Sequence, residues 1–228
     1  MKKTILITGA SDGLGKALAK LLADQHQLIL CGRSQAKMDD LKQELGDEHF
    51  YGCFDITNDE QRKNFCNEVL AKYERIDVLV NNAGANTKKD LVCDIDLNDL
   101  RYMFELNVVS SVSMIQHIYP VMKKQQSGLF INILSTCCLF HNPSIGSYSA
   151  SKCAFEAISK ILLKEVKDDH IGVCNIYPGG IDTNFRANKN ENYLKAESVA
   201  KMIKSCIEQE EGCVHELVIR PFVENNIA

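Results

Sequence analysis

The opening of the chain limits its fold more than any other stretch. Lys3-Thr-Ile-Leu-Ile7 reads as a buried strand and passes without a spacer into Thr8-Gly-Ala-Ser-Asp-Gly-Leu-Gly15. Beyond the glycines, Ala17, Leu18, Leu21 and Leu22 recur at the helical period, with Lys16 and Lys20 on the other side. A strand that runs through a glycine loop into a helix leaves the free N–H groups of the helix start facing out of the loop, which suits a phosphate. Gly9 permits the tight turn, Gly13 lets backbone approach a pyrophosphate, and Gly15 packs the helix against the strand.

Strand and helix then keep alternating. Gln27 to Cys31 is a strand ending in Gly32-Arg33-Ser34, Ala36 to Leu45 a helix, and His49 to Phe54 a strand closed by Asp55-Ile56. Thr57-Asn-Asp-Glu60 has the form of a capping box and opens a helix to about Tyr73. Asp77 to Val80 is a buried strand closed by Asn81-Asn82-Ala83-Gly84, and a long helical segment spans Asp96 to Lys124. Gly128 to Leu134 delivers Ser135, the next helix carries Tyr148 and Lys152, and Ile171 to Tyr177 leads into Pro178-Gly179-Gly180-Ile181-Asp182-Thr183. About a dozen polar residues follow, and we expect a mobile lid at about 184–196 before a helix near Glu197 and a last strand, Glu216 to Ile219. This order is that of a single α/β domain, residues 1–228.

Ligands of open parallel sheets collect at the carboxyl ends of the strands. Gly32 stands where an acidic residue would bind adenine-ribose hydroxyls, and Arg33 can pair with a 2′-phosphate, so NADP is favoured over NAD. Asp12 points the other way. Asp55 is placed to reach the adenine amine and equally to make a turn; Asn81 is expected to tie strands together rather than touch ligand. The expected nucleotide contacts are Gly9, Ser11, Asp12, Gly13, Leu14 and Gly15, then Arg33, Ser34, Asp55, Ile56, Asn82, Ala83 and Gly84, then Tyr148, Lys152, Pro178, Gly179, Ile181 and Thr183.

Reaction chemistry is expected from Ser135, Tyr148 and Lys152. Tyr148 and Lys152 are four residues apart, so on a helix they share a face. A cation there favours phenolate and lowers the tyrosine pKa from about 10 toward working pH, as proton exchange with a carbonyl oxygen requires. Ser135 adds a hydroxyl donor to the same oxygen. Tyr119-Pro-Val-Met-Lys123 has the same spacing but no upstream serine, and reads as a helix-end pair. Asn107, polar in the middle of an apolar helix, needs a partner, and a buried water linking it to Lys152 is one solution. His141 is expected to line the pocket.

Composition narrows the partners. A net charge of −4 without a Lys/Arg-rich run argues against nucleic acid or an anionic membrane surface. The first apolar run is too short for a membrane span or signal core, so the chain is expected to be cytoplasmic. Ten cysteines include one vicinal pair, Cys137-Cys138, and no Cys-x-x-Cys; they carry no zinc or thioredoxin spacing, and no metal is expected.

Along essentially its whole length the chain resembles the classical short-chain dehydrogenase/reductase family. The resemblance rests on Thr-Gly-x-x-x-Gly-x-Gly at 8–15, Asn-Asn-Ala-Gly at 81–84, Asn107, Ser135, Tyr-x-x-x-Lys at 148–152 and Pro-Gly at 178–179. It implies a doubly wound Rossmann fold with about seven parallel strands and an Asn107-Ser135-Tyr148-Lys152 tetrad. It also implies hydride transfer between a nicotinamide, NADP(H) on the Gly32-Arg33 reading above, and a small carbonyl/alcohol substrate, in a homodimer or homotetramer. The segment after Thr183 is shorter than in beta-ketoacyl reductases, and the end lacks their glycine-rich close. Two other readings remain: a carrier-protein thioester reductase, for which Arg186, Lys189 and Lys195 are the available basic residues, and a non-catalytic NADP-binding sensor or scaffold.

Overall fold

The computed structural model describes residues 2–185 and 190–224. Seven strands form one wholly parallel sheet in the order β3-β2-β1-β4-β5-β6-β7. The strands are β1 Thr4–Thr8, β2 Gln27–Gly32, β3 Phe50–Cys53, β4 Val78–Asn81, β5 Gly128–Ile133, β6 Ile171–Pro178 and β7 Glu216–Ile219. The chain starts at the centre, winds outward through β2 and β3, then crosses back to lay β4 against β1. That reversal makes a crevice at the carboxyl edge.

Successive strand residues face opposite layers. Ile5 and Ile7 pack with α1 (Gly13–Leu22), α2 (Gln35–Leu45) and α7 (Ala196–Ile207), whereas Leu6 packs with α3 (Asp59–Lys72), α5 (Ser110–Gln125) and α6 (Gly146–Glu165). Both faces are covered, so β1, β2 and β4 are apolar at nearly every position. Among the described residues no helix is long and apolar enough to cross a membrane.

Two local outcomes differ from the sequence reading. Asn58, not Thr57, caps α3: its side chain accepts from Gln61 N–H at 3.0 Å, while Thr57 donates its N–H and hydroxyl to Asp55 at 2.9 and 2.8 Å. The long helical segment is two helices, α4 (Leu97–Phe104) and α5, joined through a π-helical turn from Glu105 to Val109. The end of the segment expected as a lid is tied to the loop after β6. Leu194 N–H donates to Gly180 O at 2.9 Å, Asp182 N–H to Leu194 O at 2.9 Å, and Lys195 pairs with Asp182 at 2.9 Å. Arg186 to Lys189 lie outside the described residues.

One polar row crosses the interior. Asn81, Asn132 and Asn175 are in register on β4, β5 and β6. Asn81 Nδ2 donates to Asn132 Oδ1 at 2.9 Å, Asn132 Nδ2 to Ser159 Oγ on α6 at 2.7 Å, and Ser159 Oγ to Asn175 Oδ1 at 2.5 Å. The strand-tying role expected of Asn81 is therefore present between β4 and β5, and the row continues through Ser159 to β6.

Candidate active site

The loops that leave the carboxyl ends of β1 to β6 bring the sequence candidates to one edge. Gly9 and Gly13 adopt φ of +64° and +51°, the left-handed region that a side chain disfavours. Gly15 is needed for a different contact from the one expected. A Cβ there would lie 2.2 Å from Gly9 O and 2.6 Å from Asn82 Nδ2, so the residue lets the loop close on itself. Asn82 Nδ2 donates to Thr8 O at 2.9 Å and Gly9 O at 3.1 Å, and Thr8 Oγ1 accepts the N–H groups of Asn82 and Ala83, each at 3.0 Å. The Asn82 amide thus braces the glycine loop.

Asp12 caps α1 through Gly13 N–H at 2.7 Å and pairs with Lys37, which the sequence reading did not single out. Burial pushes the Asp12 carboxyl up, but Lys37, Gly13 N–H and Asn184 outweigh it, and the group stays below its ordinary range. Arg33 is exposed and donates to Tyr102 OH at 3.3 Å. At Gly32 a Cβ would fall 2.6 Å from Ser11 Oγ and 3.0 Å from Met38 Sδ, so a side chain there requires those two to shift. Asp55 makes the turn to Thr57 described above and is exposed. Thr183 lies against Gly13, where a Cβ would meet its side chain at 3.4 Å.

At the centre, Lys152 is buried, and its ammonium donates to Ile133 O at 2.8 Å and lies 6.0 Å from the Tyr148 ring centroid. Burial lowers its pKa to about 8, against a smaller opposing effect from Cys137 and Cys138. Ser135, half-buried, caps the one-turn helix Thr136–Cys138 by accepting from Cys137 N–H at 3.2 Å. Phe185 meets the Tyr148 ring edge-on at 5.9 Å between centroids. His141 is exposed. Tyr119 and Lys123 belong elsewhere: Tyr119 OH donates to Asp169 at 2.6 Å, before β6 at the opposite edge of the sheet.

Asn107 is fully buried within the π turn and is bonded directly to protein groups. Its Oδ1 accepts from Ala85 N–H at 3.0 Å; its Nδ2 donates to Ala85 O and to Ser151 Oγ, both at 3.0 Å. Ser151 Oγ donates in turn to Tyr148 O at 2.8 Å, so Asn107 connects the loop after β4 to the turn of α6 that carries Tyr148. Gly84 fits between these groups. A Cβ there would lie 2.8 Å from Asn107 Oδ1 and 3.2 Å from Lys152 Nζ. Ala85 and Ser151 are contacts that no spacing in the sequence signals. Cys137 was visible as one of a vicinal pair. It is buried, and its thiol is held low, chiefly by the hydrogen bond from Cys138 and against its burial, with Ser135 and Lys152 acting in the same direction.

The short chain dehydrogenase family model matches residues 3–194. The chain is 33% identical over 217 residues to 3-ketodihydrosphingosine reductase of Bacteroides thetaiotaomicron, covering 92% of this chain and 78% of that protein. It is 34% identical over 187 residues to the 3-oxoacyl-acyl-carrier-protein reductase FabG of Thermotoga maritima, covering 79% and 75% respectively. A solved alcohol dehydrogenase from Thermococcus sibiricus, complexed with 5-hydroxy-NADP, superposes with a TM-score of 0.88 at 27% identity, covering 97% of each chain. A seven-stranded parallel sheet reversed at β1/β4, the tyrosine–lysine pair at that crevice and these likenesses lead to one assignment: the chain belongs to the short-chain dehydrogenase family of oxidoreductases.

Proposed function

We propose that the protein reduces a ketone or aldehyde with NADPH, the same centre serving the reverse oxidation. The observation that carries this reading is Lys152: a buried ammonium, fixed by Ile133 O and set beside the Tyr148 ring, with a pKa of about 8. Burying an ammonium is costly even with one carbonyl partner, and a buried, shifted cation beside a group it can act on marks a functional site.

The residues present fit the dinucleotide. The loop from Gly9 to Gly15 closes only without side chains at Gly9 and Gly15, and it opens the ten-residue helix α1. Leu14 N–H would hold the diphosphate, joined by Gly13 N–H once Asp12 releases it, with Arg33 and Lys37 on the 2′-phosphate, Lys152 on a ribose, and Ile181 and Thr183 at the carboxamide. Lys37 pairs with Asp12 and offsets its charge, and a 2′-phosphate would compete with Asp12 for that cation. Bound there, the nucleotide supplies hydride. Tyr148 gives its proton to the carbonyl oxygen, Ser135 donates a hydrogen bond to the same oxygen as negative charge grows, and Lys152 stabilises the phenolate left on Tyr148. Asn107 holds α6 in place through Ser151.

The relatives named as reductases act on different carbonyl compounds. Lys195, one of the basic residues a carrier protein would need, is already paired with Asp182. We take a small free carbonyl as the substrate, and the test below includes ketoacyl thioesters as the competing class.

The test is nucleotide binding followed by turnover over a panel of ketones, diketones, quinones and ketoacyl thioesters. NADPH should bind more tightly than NADH by about 1–3 kcal/mol, the worth of charge-assisted contacts, and Arg33→Ala with Lys37→Ala should erase the difference. Tyr148→Phe should keep binding and lose about 10²–10⁴-fold in turnover. Full turnover in that variant would end the proposal. We extend the reading to a homodimer or homotetramer, because Val109, Ile158 and Ile161 are 45%, 37% and 56% exposed on α6 and the π turn before α5. Sedimentation should give at least a dimer, and Ile158→Glu with Ile161→Glu should give monomer.

A further inference from the structure

A cluster of side chains beside these residues takes no part in the chemistry above. Cys138 ends the one-turn helix behind Ser135, and Cys153 follows Lys152 on α6. Cys153 and Glu156 are three residues apart on that helix and so project from one side. Cys138 Sγ, Cys153 Sγ and a carboxylate oxygen of Glu156 all lie within 4.8 Å of one another, half-buried. Among the described residues no other group of three or more His, Cys, Asp or Glu side chains converges in this way.

We propose that Cys138, Cys153 and Glu156 form a binding site for a thiophilic divalent cation, zinc in the first instance. Two thiolates select against magnesium and calcium and suit zinc. Tetrahedral zinc has Zn–S near 2.3 Å and Zn–O near 2.0–2.2 Å, which sets its donor atoms about 3.5–3.8 Å apart. The cluster therefore needs to close by little more than about 1 Å to meet the ion. Glu156 is already oriented. Tyr177 OH donates to its Oε1 at 3.0 Å and Lys160 Nζ to the same atom at 2.7 Å, and the carboxylate has a second oxygen for the ion. Binding turns two thiols into thiolates and releases two protons to solvent, and three protein ligands leave the fourth position to water. The spacing Cys138 to Cys153 matches no zinc motif because the ligands come from two elements that meet only in the folded chain.

Occupancy links the segment capped by Ser135 to the helix that bears Tyr148 and Lys152. On the reductase reading, on which this consequence alone rests, drawing Cys138 toward α6 displaces Ser135 and lowers turnover, since a shift of about 1 Å costs up to about 10²-fold.

The experiment uses the reduced full-length protein carrying Cys53→Ser and Cys93→Ser, which removes the two exposed thiols. Titrated with Cd²⁺, it should bind one ion per chain with a thiolate charge-transfer band, and added Zn²⁺ should displace the ion. Cys138→Ser and Cys153→Ser should each abolish the strong binding, whereas Glu156→Gln should weaken it about 10–100-fold and keep a thiolate band. Circular dichroism establishes that each variant is folded, and Cys153→Ala serves where Cys153→Ser is not. No thiolate band in the folded, reduced reference protein would overturn the site, and so would a band that survives the loss of both Cys138 and Cys153. Turnover of the metal-free protein is measured separately, so an inactive chain that binds the ion counts against the reductase reading alone.

Discussion

At Lys152, keeping an ammonium inside the protein carries a free-energy cost that pH reveals. Burial sets its pKa at about 8, whereas the unfolded chain keeps the ordinary 10.5. Between those values the unfolded state binds more protons, so this group makes stability rise with pH across the window. Below about pH 8 both states carry the charge and the folded protein bears the full desolvation penalty. Urea denaturation from pH 7 to 10 should therefore show wild type gaining stability relative to Lys152→Met as pH rises. A constant difference would mean that the ammonium is not desolvated. Lys152 and Tyr148 were readable from the sequence because one helical turn places them together whatever the rest of the fold does. Lys37 was not: its value lies in meeting Asp12, 25 residues earlier, across two elements.

Helix starts show how a correct element can hide a wrong detail. Thr57-x-x-Glu60 and Asn58-x-x-Gln61 are both cap patterns, offset by one residue, and composition cannot choose between them. Asp55 decides the matter by engaging both the N–H and the hydroxyl of Thr57, which leaves Asn58 to serve α3. Asn58→Ala should cost about 1 kcal/mol in chemical denaturation, more than Thr57→Ser, which keeps the hydroxyl and N–H that Asp55 engages. The π turn was illegible for a related reason. Leu100, Met103, Phe104, Val108, Val112 and Ile115 recur closely enough to the helical period that one widened turn does not disturb the pattern. What the turn achieves is visible only in three dimensions, where Asn107 reaches Ala85 and Ser151 together.

Across the whole molecule, alternation of strands and helices declared the class, and the strand contents declared burial on both faces. The asparagine row was only half declared, since Asn81 stood out beside Gly84 while Asn132 and Asn175 sit inside strands that read as simply apolar. Replacing Asn132 with Ala leaves Asn81 and Ser159 without a shared partner in a buried setting, which should cost at least about 2 kcal/mol in urea denaturation. The row fastens β4, β5 and β6 to one another and to α6 by side chains as well as by backbone, whereas β7 pairs on one side only and alternates between exposed and half-buried positions. In hydrogen exchange, the amides of β4 to β6 should therefore exchange only through global opening, while those of β7 exchange through local fraying. On that expectation, the strands that present Asn82 to Gly84 and Ser135 should be among the last to open. Gly179 N–H donates to Ile219 O on β7, so fraying there loosens the loop after β6, and in denaturant activity should fall before the folding signal does.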